Sequence, residues 1–188
     1  MVPTLETRRL ILRPVTLEDA PAIQDLFPHW EIVKFLSTKV PWPYPPDGAL
    51  SFLRDVLLPA IEKGEQWAWA IRLKGGPDHL IGLINLSKAR EENRGFWLAR
   101  DWQGQGLMIE ASQIVTDFWF NTLNNSVLRV AKARQNAASR RISEKQDARL
   151  IGVEERDYVS GRGPAEIWEL NREDWNRLRR SEIELTEE

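Results

Sequence analysis

The sequence predicts an α/β domain in which a mixed, mostly antiparallel central sheet is flanked by helices, and three observations carry that prediction. Three alternating runs at 66–73, 80–86 and 94–99 follow one another with turn signals between them. Apolar residues at three-to-four spacing fill the segments before and after that block. A glycine turn at 104–106 joins the last of the three runs to a long amphipathic stretch.

Residues 9–13 (RLILR) alternate apolar and basic side chains as a strand with one solvated face does. Thr16 followed by Leu17, Glu18 and Asp19 reads as a capped helix start, with Ala20, Ile23, Leu26 and Phe27 as its apolar stripe. A short helix at 31–36 leads into the proline-rich loop 41–46, which cannot join a helix or a central strand. From Asp47 a further helix buries Leu50, Leu53, Val56, Leu57, Ala60 and Ile61, with Pro59 expected to kink it or end it. The three strands form an antiparallel meander with turns at 75–78 and 88–93. A helix at 107–123, a strand at 127–133, a short helix at 136–145 and strands at 149–159 and 165–171 complete the alternation. Residues 181–188 read as a frayed acidic end, and the organisation expected is one domain over 1–178 with an acidic tail at 179–188.

Composition narrows the chemistry. With 188 residues and 42% hydrophobic content the chain supports one well-buried core. A formal net charge of −2 gives no field that would draw the whole protein to nucleic acid. Cysteine is absent, which excludes disulfides, thiolate metal sites and a cysteine nucleophile, and only His29 and His79 carry imidazole. The polar start at 1–9 is unlike a secretory signal, and no run approaches the ~20 apolar residues of a membrane span, so the expectation is a cytoplasmic protein with no membrane partner. Nine tryptophans divide between core and cleft positions that their number alone does not distinguish.

The sharpest local signal is Trp102-Gln103-Gly104-Gln105-Gly106-Leu107-Met108, set between a strand and an amphipathic helix. Glycines let successive N–H groups converge without a Cβ in the way, and the start of the helix presents about half a positive charge, so this order of elements suits a phosphate. A tight turn that merely starts a helix is the plainer reading of the same residues. A Walker loop and a dinucleotide fingerprint are both excluded, the first for want of Gly-Lys-Ser/Thr and the second because Ile109 stands where a third small residue belongs.

The turn resembles motif A of the GNAT N-acetyltransferases, Gln/Arg-x-x-Gly-x-Gly/Ala, with Gln103 and Gly106 in register and Met108 departing from the final small residue. The likeness is closest to the RimJ/RimL-type branch. Its opening is similar to Glu6-Thr7-Arg8-Arg9-Leu10-Ile11-Leu12-Arg13-Pro14. Its later stretches are similar to Phe96-Trp97-Leu98, to Gln135-Asn136-Ala137-Ala138-Ser139-Arg140-Arg141 and to Ile167-Trp168-Glu169-Leu170 with Arg172-Glu173-Asp174-Trp175. Gln146-Asp147-Ala148 departs where the family often has a glycine and an aromatic.

The resemblance implies a GNAT-like fold splayed between the fourth and fifth strands, here 96–99 and 127–133, with acetyl-CoA as co-substrate and no metal. Transfer would run directly from thioester to amine, as suits a chain without cysteine. The cofactor-binding residues implied are Trp97, Leu98, Ala99, Gln103, Gly104, Gln105, Gly106, Leu107, Met108, Asn136 and Ser139. Ser139 would also protonate the leaving sulfur, because the helix lacks the tyrosine many relatives use. Asn136 as a helix cap with Ser139 in the first turn stays open beside that role.

Strand alternation puts Glu155 and Asp157 on one face of 149–159, where either could serve as the base, although an ion-rich exposed hairpin is the plainer reading. Trp30, Trp42 and Tyr44 would cover the acceptor, or simply pack together. The partner implied is an amine, either a protein N-terminus or a small molecule, with a homodimer left open. A non-catalytic acyl-CoA sensor is the alternative function.

Overall fold

The computed structural model describes residues 1–76 and 78–187, with side chains described through Ser181. Strands β1 (Leu5–Glu6), β2 (Leu10–Pro14), β3 (Gln66–Leu73), β4 (Gly82–Ser87) and β5 (Arg94–Leu98) form one sheet in chain order. Strands β6 (Val127–Ala133), β7 (Arg149–Tyr158) and β8 (Gly161–Asn171) form a second in the order β6-β8-β7, and every pairing within the two sheets is antiparallel. The meander is present as expected. Within the turn expected at 75–78, Pro77 lies outside the described residues.

The two sheets face each other across β5 and β6. They touch at the bridge between Glu92 and Val130, where Asn93 N–H donates to Arg129 O (2.9 Å) and Ala131 N–H donates to Glu91 O (2.9 Å). Beyond that point β5 pairs only with β4, and β6 only with β8, so the strands part as the splayed arrangement requires.

Side-chain alternation along β3 sets the two layers. Trp69 and Ile71 face a core made with Leu107, Ala111 and Val115 of helix α5 (Leu107–Asp117), while Ala68 and Ala70 face a second core. That core includes Ile23 of α1 (Ala20–Leu26), Val33 of α2 (Trp30–Val33) and Ala49 of α3 (Gly48–Phe52). Small alanines on this face leave room for helices to approach the sheet.

Helix α3 does not stop at its proline. A π turn over Leu53–Leu57, closed by Leu58 N–H on Leu53 O, carries the chain into α4 (Leu58–Glu62) with Pro59 in its first turn, where a missing N–H costs little. The buried face is therefore Ala49, Leu53 and Leu57, spaced by four, and Leu50 and Val56 are 42% and 52% exposed rather than buried as the periodicity suggested. Helix α2 is also shorter than the 31–36 expected.

After α5, another π turn (Phe118–Thr122) precedes β6, and α6 (Ala137–Lys145) links β6 to β7. Helix α7 (Arg172–Glu187) runs through most of the segment read as frayed from Ser181, because no glycine or proline follows Arg172 to end it; Glu188 lies outside the described residues.

Trp175 locks α7 onto the core. It is fully buried, its ring centroid lies 6.4 Å from that of Phe120, and its Nε1–H donates to Asp117 Oδ1 at 2.7 Å. Replacing it with alanine should remove about 3–5 kcal/mol of stability, measured as a lowered urea midpoint, while Trp175→Phe should lose less.

Candidate active site

The glycine turn has the geometry that a phosphate cradle needs. Gly104 and Gly106 hold φ at 75° and 76°, in the left-handed region where a Cβ is strained. Gln103 Nε2–H donates to Leu98 O (2.9 Å) and Gln105 Nε2–H to Asp101 O (3.0 Å), so both glutamines brace the turn. Gly106 caps α5, and the first amide of the helix to find a backbone acceptor is Glu110 N–H, on Gly106 O at 3.2 Å. The amides ahead of it on Leu107, Met108 and Ile109 are the unpaired donors of a helix start. Leu107 and Met108 bury their side chains in the core, so they can offer a ligand only backbone.

A second strut comes from the turn between β1 and β2. Arg9 Nη1–H donates to Gln105 O (3.0 Å), and its Nε–H donates to Glu110 Oε2 (2.7 Å). Arg9 N–H and Thr7 Oγ1–H both donate to Glu110 Oε1. Burial acts to raise the pKa of Glu110, but these bonds outweigh it and hold the carboxyl below its ordinary value. No spacing rule links Thr7 and Arg9 to a helix a hundred residues away, so the sequence carried no signal for this strut.

Along β5 the side chains divide. Trp97 turns away from α5, its ring packing edge-on against Phe27 (5.3 Å), which packs in turn against Tyr44 (5.2 Å). Leu98 and Ala99 are buried, and Ala99 N–H is taken by Ile81 O, leaving the unpaired backbone edge of β5 toward β6 as what this strand can present. On the α5 side stand Arg94, Phe96 and, from β6, Lys132. Arg94 donates to Thr116 Oγ1 and to Gln146 Oε1 (2.8 Å), and burial lowers its pKa to about 10. Lys132 Nζ lies 4.4 Å from the centroid of the Phe96 ring, across the gap between the strands. Sequence reasoning missed Lys132, although the period of two was there to find it: Leu128, Val130 and Lys132 share one face of β6.

Helix α6 opens with Asn136 as its cap, Oδ1 accepting Ser139 N–H at 3.2 Å, so the capping role is realised. Ser139 is 8% exposed and its hydroxyl has no hydrogen bond among the described residues.

The carboxylates lie elsewhere. Glu155 and Asp157 are exposed on β7, an edge strand. Arg156, on the other face, reaches Glu154, Glu91 (3.2 Å) and Glu92 (3.3 Å), tying β7 to the turn before β5. A cavity of about 160 Å³ joins the end of β6 to the β7–β8 turn; Phe35, Ala133, Gln135 and Tyr158 are among its walls. Neither carboxylate lines it, nor do Trp30, Trp42 or Tyr44. Trp30 and Trp42 form an exposed pair with centroids 5.9 Å apart, separate from the packed Tyr44. Tyr158 Oη is buried there without a hydrogen bond, and burial raises its pKa.

Comparison with known proteins places this geometry. Residues 9–149 match the family model described as the acetyltransferase (GNAT) domain. An uncharacterized N-acetyltransferase p20 of Bacillus licheniformis is 26% identical over 167 residues, 85% of this chain and 89% of that protein. A RimL ribosomal L7/L12 alpha-N-protein acetyltransferase solved with coenzyme A has a TM-score of 0.76 at 15% identity, covering 90% of this chain and 98% of that one. A ribosomal-protein-S5-alanine acetyltransferase from Vibrio fischeri has a TM-score of 0.77 at 16% identity, covering 92% and 98%. At those identities the structural likeness is one of fold.

The Glu110 strut has a pH signature. Because the folded carboxyl titrates below its ordinary value near 4.5, its contribution is complete above that value and is lost as pH falls through the lowered folded pKa. Glu110→Gln should cost about 1–2 kcal/mol at neutral pH, after allowing for the part-exposed Arg9, and the gap from wild type should close in acid. Urea titrations between neutral pH and the acid transition measure it.

Proposed function

The chain belongs to the GNAT acetyltransferase family, and on that premise we propose that it moves the acetyl group of acetyl-CoA onto the α-amine of a protein N-terminus, as a member of the RimJ/RimL-type branch. The observation that carries the donor half is the pair of left-handed glycines opening α5 beside the gap between β5 and β6. The amides of 106–108 would take the pyrophosphate, and the free edge of β5 at 97–99 would bond the pantetheine arm as a neighbouring strand does. Gln103 and Gln105 would brace the turn with their side chains and meet the ligand through their backbone. Asn136 would shape the start of α6, and the unpaired hydroxyl of the buried Ser139 would serve the departing sulfur.

The acceptor half rests on chemistry. An α-amine with a pKa near ~8 has a useful free fraction at neutral pH, whereas a lysine near ~10.4 needs a strong base. The candidates Asp157 and Glu155 are solvated on an edge strand, a poor place for a dedicated base and an adequate one for an amine that nearly deprotonates itself. The cavity beside Tyr158 would take one residue of a substrate, with Trp30 and Trp42 flanking the chain beyond. The reading includes a single catalytic domain over 1–178 and a cytoplasmic setting; no described helix is long and apolar enough to cross a membrane.

Two experiments test the two halves. Gly106→Asp puts a carboxylate at the cradle and a side chain on a left-handed backbone, so calorimetry should show acetyl-CoA affinity falling by at least about tenfold in a folded variant. Unchanged affinity would remove the cradle. With a peptide whose N-terminus is the only amine, Ser139→Ala should slow turnover by about 10²-fold near neutral pH. Asp157→Asn should lose activity that returns as pH approaches the amine's own pKa. A preference for lysine side chains over the free N-terminus would overturn the acceptor assignment.

A further inference from the structure

The Lys132 amine lies near the proposed donor cleft and has no part in the proposed reaction. It lies on the face of β6 shared with Leu128 and Val130, which pack in the α5 core, so it stands on the side of the sheet that carries both the glycine turn and the buried face of α6. Its residue is 6% exposed, and the side chain spans from β6 to the Phe96 ring on β5.

No carboxylate holds this amine as an ammonium. Glu166, its register partner on β8, pairs instead with Arg134 (Oε1, 3.2 Å) and Arg140 (Oε2, 2.6 Å). Among the described residues Lys132 has neither an ion pair nor a hydrogen bond. Arg94, a like charge that is itself buried, acts on it. The Phe96 ring face holds a cation less firmly than a carboxylate would. Burial, with Arg94 adding to it, pushes the pKa well below that of an ordinary lysine. A neutral primary amine is the nucleophile that a thioester acylates.

We propose that Lys132 is an internal acetyl acceptor: with acetyl-CoA in the gap between β5 and β6, the protein acetylates its own Lys132. The Nζ lone pair attacks the thioester carbonyl carbon and the C–S bond breaks. Sulfur leaves with the bonding pair as thiolate, and the proton lost from nitrogen goes to that sulfur, giving Nζ-acetyl-lysine and coenzyme A thiol. The product amide is uncharged and longer than the amine, so it removes a buried basic group and fills the space between Phe96 and β6.

This inference rests on the donor site proposed above, and the test keeps the two apart. The full chain is incubated with acetyl-CoA and no acceptor amine near neutral pH, then followed by intact mass and by peptide mapping. The expected result is one acetyl group per chain, on Lys132, appearing at least about tenfold faster than on the exposed Lys39 and Lys63, because each unit of pKa lowering multiplies the free amine about tenfold. Lys132→Arg keeps a long basic side chain without a primary amine and should take up no acetyl group at that position. Gly106→Asp should slow modification of Lys132 and leave the surface lysines unchanged.

Acetyl-CoA that binds by calorimetry while Lys132 stays unmodified overturns the proposal and leaves the donor site standing. Modification of Lys132 no faster than of Lys39, or undiminished in Gly106→Asp, also overturns it, as adventitious chemistry. Absence of acetyl-CoA binding removes both readings together.

Discussion

The buried amide of Asn93 pins the vertex from which the two sheets part. Its Nδ2 donates to Ser87 O (3.0 Å) and Ala89 O (2.9 Å), and its Oδ1 accepts Arg129 N–H (2.7 Å). Its backbone N–H also reaches Arg129 O. One residue thereby closes the β4–β5 turn and fastens it to β6 from a position 9% exposed, where each of those polar groups would be costly to leave unpaired. Arg156 reinforces the junction from β7 through Glu91 and Glu92, so the far edge of the second sheet is tied to the same end. A sheet cannot end in mid-domain without exposing backbone donors and acceptors, and holding it closed here lets it stay open at 96–98.

That opening organises what lies around it. Helices α1 to α4 cover one face and α5 with α6 the other, so the glycine turn, Arg94, Lys132 and Ser139 come to the same side. The turn itself is fixed from outside by Arg9, whose guanidinium joins a carbonyl of the turn to a carboxylate of the helix. The turn between β1 and β2, about a hundred residues before α5, thus helps to set the shape of the glycine turn. A match beginning at residue 9 takes in that strut's arginine.

Much of this was legible in the sequence because it depends on local chemistry. Period-two runs gave β2 to β5, and left-handed glycines gave the turn, since only glycine tolerates φ near 75° freely. What misled the reading was phase. A π turn ahead of Pro59 keeps the helix going and shifts which residues face inward, so Leu50 and Val56 point outward. Alternation along β7 correctly paired Glu155 with Asp157, but it could not say which face meets the cavity, and Tyr158 is the residue that lines it. Partnerships across long separations, such as Thr7 and Arg9 with Glu110, leave no trace in spacing.

The remaining illegible part is the polar interior, and its placement has a physical meaning. Helix α6 turns Ser139, Ser143 and Gln146 inward at positions where a helix of an ordinary core would carry aliphatic residues. Ser143 Oγ, Gln146 Nε2, Arg94 Nε, Ser112 Oγ and Trp168 Nε1 are buried there without a hydrogen-bond partner. Each such group costs about 1–3 kcal/mol relative to a paired one. A core under selection for stability alone would replace these groups with hydrocarbon; the opposite layer is built largely so, from Ile23, Val33, Leu53 and Leu57, while also burying the Asp19–Arg72 pair. The conflict between burial and polarity is thus concentrated on the layer that carries the glycine turn and the start of α6, the side on which the chain must meet a thioester rather than only itself.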